Sequence, residues 1–405
     1  MEKNLSRRSL LKGALAGAAG IVGVAGAGCR SGQTAAPELT YTATVPGIAA
    51  DGTSTPTPPT PSPTATLMPP VTLRDWANKA AIEVGATLGH REVSGMFPLI
   101  AREFNTASVS YALNWNNIET SRGTLQFQNL AKFADADGDV RYAIANSMKI
   151  HGQALIDHGS YPDWLKNGTF DRDELRNIIR THVIDVVSHF RGKIARWVVA
   201  NEFHPLNWTG YTDYVQQSIG ADVLDIAFQA ARDADPSATL IYNDNANHAR
   251  KSGNVFDYGA YANTLSIVDR LTRKGILDGV GVQMHLDGSN APSPDDVSAT
   301  LKSYGLPVYI TEMDVNMKDV AGSQDKRYSQ QAEIYKTILQ AAIHSGACKS
   351  FIFYTVGDRY SWIETDKSYG KYSPNADPTP FDDNLKPKPA YYAILGALQS
   401  VAQGG

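Results

Sequence analysis

From residue 71 to residue 402, short apolar, β-branched runs alternate with longer segments of helical period, which limits the folds open to this chain. The predicted strands are Glu83–Gly89, Ser108–Leu113, Met148–Leu155, Arg196–Glu202, Thr239–Asp244, Gly279–His285, Pro307–Glu312 and Lys349–Val356. Helical patterns lie between them. Asp173–Phe190 has apolar residues at Leu175, Ile178, Ile179, Val183, Val186 and Val187, and Ala221–Ala234 is a second case. Eight strands alternating with helices over about 330 residues predict an α/β fold, a (β/α)8 TIM barrel in one domain, residues 71–405. A doubly wound sheet is the alternative, weakened because no Gly-rich phosphate loop follows the first strand. No repeat stands out.

With 405 residues, 42% of them hydrophobic, the chain can bury a core of enzyme size. The net charge is −4 and no Lys/Arg block follows the N-terminal region, so a nucleic-acid partner is not expected. Two cysteines, Cys29 and Cys348, exclude a disulfide scaffold and a multi-thiolate zinc site. Cys348 is expected as a small buried residue just before strand eight.

Residues 1–28 read as an address. Paired Arg7 and Arg8 precede a stretch, Gly13 to Gly28, made only of Gly, Ala, Leu, Ile and Val. This is the pattern of a twin-arginine export signal. A short retained membrane anchor is the alternative. Cys29 follows Ala27-Gly28 as in a lipoprotein cleavage box, but Gly26 stands where such boxes usually carry Leu. Both a membrane tether through lipidated Cys29 and free secretion stay open. Beyond residue 28 no apolar run nears the roughly 18 residues that span a bilayer. Residues 29–70 are rich in Thr and Pro and are expected to form a disordered, extended linker. The expected location is extracellular or on the cell surface, and the expected state is a monomer.

Polar residues cluster where the predicted strands end. Strand four ends in Asn201-Glu202, strand five in Asn243-Asp244, strand six in Gln283-Met284-His285 and strand seven in Thr311-Glu312-Met313-Asp314. In a barrel these ends meet at one face, where active sites lie. Two carboxylates across such a mouth suit work on an acetal. One must be protonated to help the leaving oxygen depart, and the other ionised to attack the anomeric carbon. His285 could hold the attacking carboxylate ionised, and Asn201 could hold a sugar hydroxyl.

Residues 80–400 resemble glycoside hydrolase family 10, the endo-1,4-β-xylanase family. The family's Trp-Asp-Val-Val-Asn-Glu is matched at Trp197, Val199, Asn201 and Glu202. Its Ile-Thr-Glu-Leu-Asp is matched by Ile310-Thr311-Glu312-Met313-Asp314, and its Gln-Ser-His by Gln283-Met284-His285. Its strand-three motifs are partly matched by Gly152, Leu155, His158, Pro162 and Trp164. Its Asp-Lys-Tyr-Ser-Trp appears as Asp358-Arg359-Tyr360-Ser361-Trp362, and its Lys-Pro-Ala-Tyr as Lys388-Pro389-Ala390-Tyr391. The resemblance implies Glu202 as general acid/base and Glu312 as nucleophile, supported by His285 and Asp314. It implies retention of configuration, with the carboxyls roughly 5–5.5 Å apart. It implies sugar contacts at Asn201, Gln283, His285, Trp362 and His158, a polysaccharide or oligosaccharide substrate such as xylan, and no metal or organic cofactor.

The glycone side departs from the family. Tyr111 and Asn114 stand where Asn and Lys hold non-reducing-side sugars. Gln153 replaces the strand-three His, Asp157 and Ser160 replace a Trp and a Gln, and Tyr354 replaces a Trp. Val198 replaces the Asp of the acid/base motif that supports a strand-three His, so His158 loses its usual partner and Asp157 is the candidate substitute. Losing a charged hydrogen bond to a sugar hydroxyl costs about 1.5–3 kcal/mol. Tyr111, Gln153, Asp157 and Tyr354 can bind sugars, so altered specificity is the expectation. The same chemistry on another β-glycan or an aryl glycoside, or a carbohydrate-binding lipoprotein, are the rivals.

Asp135-Ala136-Asp137-Gly138-Asp139 resembles the start of a calcium loop, but its Gly comes early and its twelfth position is Asn146. A helix-ending turn is expected there. His151 and His158, seven apart, point to opposite faces of a strand and do not suit one metal.

Overall fold

The computed structural model describes residues 70–89, 93–129, 134–203, 214–250, 260–365 and 376–404. The predicted export signal, Cys29 and all but the last residue of the predicted linker lie outside the described residues. Eight parallel strands form a closed ring: β1 (Glu83–Leu88), β2 (Thr106–Val109), β3 (Lys149–Gly152), β4 (Arg196–Asn201), β5 (Thr239–Asp244), β6 (Gly279–Val282), β7 (Val308–Asn316) and β8 (Cys348–Phe353). Each pairs with the next, and β8 pairs back onto β1, with Glu83 beside Ser350 and Ala86 beside Phe353. This is the expected (β/α)8 barrel. Strands buried on both faces read as continuous apolar runs, which is why all eight were legible.

Helices cover the ring. Arg172–His189 starts at Asp171, whose side chain accepts from the Glu174 amide at 2.8 Å, and it buries the six apolar residues expected of it. Cys348 is buried and opens β8, and burial pushes its thiol up to about 12.

Several boundaries differ from the sequence reading. Strand two ends at Val109; Tyr111–Leu113 is a tight turn that buries Ala112 and Leu113, so the apolar run outlasts the strand. Strand three stops at Gly152. Strand six stops at Val282, and the chain resumes as a short strand, His285–Asp287, beside Asp314 to Asn316. A second short strand, Ile156–Asp157, sets Asp157 beside Asn201. The Asp135 segment begins a helix and does not end one. Asp135 caps Ala136–Ala145, accepting from the Gly138 amide at 2.8 Å. A Cβ on Gly138 would sit 2.1 Å from the Asp135 carboxylate, which explains the glycine.

The barrel floor carries a buried charge. Arg196, which opens β4, donates to Glu83 at 2.7 Å and to His151 Nδ1 at 2.9 Å. Its guanidinium lies 4.0 Å from the Tyr309 ring centroid. Lys149 also pairs with Glu83. The charge is therefore paired on one side, bonded on another and stacked on a third, as a buried cation requires.

The closing segment is tied in by a second buried ion pair. Lys388 Nζ donates to Asp358 Oδ2 at 2.9 Å and to the carbonyls of Asp377 and Thr379, each at 2.8 Å. Burial pushes the Asp358 carboxyl up to about 6 despite this partner. Removing one member of a buried pair leaves an uncompensated charge, which costs about 3–5 kcal/mol. Lys388→Met should therefore lower unfolding free energy in urea by about that much. A loss below about 1 kcal/mol would mean that the pair is not what fixes this segment.

Candidate active site

Five neighbouring strands, β3 to β7, bring the polar residues together. Glu312, inside β7, is buried, so its carboxylate needs donors in place of water. It has three. Gln153, just past β3, and Asn243 of β5 both donate to Oε1, Asn243 at 2.9 Å. His285 Nε2 lies 3.3 Å from Oε2. His285 Nδ1 in turn lies 2.9 Å from Asp314 Oδ2, which also accepts from Trp362 Nε1 at 2.9 Å.

Glu202 sits where β4 leaves the sheet, with φ 52°, a left-handed conformation that costs a non-glycine residue about 1–3 kcal/mol. Met284, between Gln283 and His285, has φ 66°. Gln283 Nε2 donates to Glu202 Oε1 at 2.7 Å and lies 3.3 Å from Asn201 Oδ1. Asn201 Oδ1 also accepts from Asn243 Nδ2 at 2.9 Å. Three amides thus link the two glutamates.

The two carboxyls have unlike surroundings. Burial raises the Glu202 value; Gln283 and His158 oppose this, while the charges of Asp157 and Glu312 add to it. A raised value favours the protonated form. For His285, burial acts downward, but the charges and hydrogen bonds of Asp314 and Glu312 outweigh it and push the imidazole up to about 10. An imidazolium carries a proton on both nitrogens, so one faces the Asp314 carboxylate as an ion pair and the other is shared with Glu312. Among the described residues no cluster of His, Cys, Asp or Glu is arranged to hold a metal ion.

The arrangement suits acid-assisted displacement by a carboxylate, and the comparisons agree. The family model of glycosyl hydrolase family 10 matches residues 72–397. The chain belongs to glycosyl hydrolase family 10. It is 33% identical over 339 residues to endo-1,4-beta-xylanase B of Thermotoga neapolitana, covering 81% of this chain and 92% of that one. Native xylanase 10B of Thermotoga maritima superposes with a TM-score of 0.72 at 30% identity, covering 83% of this chain and 100% of that chain. Xylanase 10B of Thermotoga petrophila, solved with xylobiose, gives 0.71 at 30% identity, covering 83% and 99%.

In this family 10 glycoside hydrolase the expected site residues do not all play the same part. Glu202, Glu312, Asn201, Gln283, His285, Asp314 and Trp362 form one bonded network. Asp157 and His158 flank it, 3.7 Å apart, which is beyond hydrogen-bond distance. Tyr354 stacks its edge against His285, with ring centroids 5.5 Å apart. Tyr111 and Asn114 lie on the turn beyond β2, Tyr111 half exposed. Gln153, read from sequence as a sugar contact, bonds Glu312 itself.

Asn243 was visible as a strand end but carried no assigned role. It donates to Asn201 and Glu312 and accepts from Thr311 at 2.8 Å. The trace available in sequence was Gly281 on the next strand. A Cβ there would sit 2.3 Å from Asn243 Oδ1.

The His285 value lies above the ordinary 6.5, so its protonation contributes stability that is complete below 6.5 and is lost as pH rises through about 10. Asp314→Asn removes the nearest anion. The His285 imidazole titration, followed by NMR, should then fall toward the ordinary histidine value, and this stability should be lost at lower pH. A titration that stays near 10 would show that Asp314 does not hold the proton.

Proposed function

We propose that this enzyme hydrolyses internal β-1,4 bonds of xylan or xylo-oligosaccharides, with retention of configuration. The observation that carries the reading is the pair of glutamates in opposite environments, joined by three amides. Glu312, solvated by three donors, is suited to attack the anomeric carbon and form a glycosyl ester. Glu202, with a raised value, is suited to give its proton to the departing glycosidic oxygen. Once Glu312 is esterified its charge is gone, and Glu202 loses a neighbour that held its proton. It can then take a proton from water, whose oxygen attacks the anomeric carbon and frees Glu312. The two Thermotoga enzymes and the xylobiose complex support a xylan-type substrate.

A second reading, a different β-glycan, is favoured by one observation. Asn114 and Tyr111 occupy the positions of the family's sugar-holding Lys and Asn, and Gln153 is engaged with Glu312. Reducing-end release from a panel of β-glycans decides between the two. Glu312→Ala should abolish release from whichever glycan is cleaved. Glu202→Ala should cut turnover of unactivated oligosaccharides by roughly 10²–10⁴-fold and spare activated aryl glycosides. Equal losses on both would argue against an acid role.

We also propose that the enzyme works outside the cytoplasm. Paired Arg7 and Arg8, the apolar stretch to Gly28 and the Thr/Pro-rich linker support this. Arg7→Lys with Arg8→Lys should leave the protein inside the cell. Cys29→Ala should release it from the membrane fraction if Cys29 carries lipid, and change nothing if it does not.

A further inference from the structure

We propose that Gln153 is a positioning residue for Glu312, and that a one-way chain of donors rising from the barrel floor fixes its amide. The proposal rests on the reading of Glu312 as nucleophile.

His151 and Gln153 are two residues apart on the β3 path, so both face the barrel interior. Gln153 stays on that path, its backbone amide bonding the Val109 carbonyl at 3.0 Å. Both side chains are buried. Arg196 Nε donates to His151 Nδ1 at 2.9 Å. Arginine does not lose its proton, so Nδ1 is the acceptor and the ring proton is on Nε2. Burial and the Arg196 charge keep the ring value well below the ordinary 6.5, so one neutral tautomer persists.

His151 Nε2, the protonated ring nitrogen, and Gln153 Oε1 are both buried, and neither makes a hydrogen bond among the described residues. Gln153 is nevertheless the side chain that acts on the His151 ring as a hydrogen-bonding neighbour. A leftover donor and a leftover acceptor are complementary, so the Gln153 oxygen belongs on the His151 side while its NH₂ group donates to Glu312 Oε1. A flipped amide would set oxygen against carboxylate and NH₂ against a donor. The direction of the whole chain, Arg196 to His151 to Gln153 to Glu312, is therefore set at the floor. Glu83, 2.7 Å from Arg196, balances the charge there.

His151 is fully covered and cannot touch a substrate. That separates positioning from sugar binding. The full chain would be tested on the aryl β-glycoside it cleaves fastest, as parent, Gln153→Met, His151→Leu, the double variant, His151→Gln and Glu312→Ala. Loss of a hydrogen bond to a charged group should lower kcat of Gln153→Met about ten- to a hundredfold, with KM nearly unchanged. His151→Leu should lower kcat several-fold, and the double variant should be no worse than Gln153→Met. His151→Gln, which keeps a donor, should recover part of the loss. Additive losses, or a folded His151→Leu with parental kcat, would overturn the proposal. So would a Gln153→Met variant altered in KM alone, a readout that decides the matter even if His151→Leu does not fold. An active Glu312→Ala would instead sink the nucleophile reading. An inactive one beside a normal His151→Leu would sink only the chain.

Discussion

Glu312 places a carboxylate inside a barrel of apolar strands, and the neighbouring strand ends are built around solvating it without water. An unpaired ion there would cost far more than the fold could bear. Donors therefore come from three directions: Gln153 past β3, Asn243 on β5 and His285 past β6. Each donor brings its own need. The Asn243 oxygen takes a bond from Thr311, and its bulk leaves β6 room only for Gly281. One anionic group thus accounts for residue choice on several strands, down to a glycine.

The same logic runs outward through His285. As an imidazolium it needs an anion on its far nitrogen, which Asp314 supplies and Trp362 steadies. Trp362 lies just beyond the turn Asp358–Tyr360. Lys388, at the start of the last helix, anchors that turn through Asp358. Two motifs that look unrelated in sequence, Asp358 to Trp362 and Lys388 to Tyr391, are therefore joined by a buried charge pair. Trp362 touches the site through Asp314, and the rest of the two motifs acts by positioning it.

The barrel was legible because fully buried parallel strands spell continuous apolar runs. Their ends were less so. Polar Thr311, Glu312 and Asp314 resemble a strand terminus, yet β7 continues to Asn316 because these side chains are buried and bonded. Ala112 and Leu113 resemble strand, yet they fill a turn. The glutamates, His285 and Asp314 were found through motif order. Asn243 was not, because an amide at a strand end carries no sign of its partners. The bond from Gln153 to Glu312 was missed for a related reason. Its two ends lie 159 residues apart, and nothing near Gln153 in sequence distinguishes a sugar contact from a bond to Glu312.

The departures from the family pattern therefore bear on more than substrate choice. Gln153 sits on Glu312, and Asp157 adds its charge to the surroundings of Glu202. Asp157 acts with Glu312 to hold the Glu202 proton, and His158, 3.7 Å from Asp157, works against it. On the proposed mechanism the influence of Glu312 ends when it is esterified, while that of Asp157 persists. A glutamate that must be an acid in one step and a base in the next then depends on a balance among three charges. An aromatic side chain at position 157 would have left that balance to Glu312 and His158. Rewriting the glycone shell and retuning the acid are, at this position, one change.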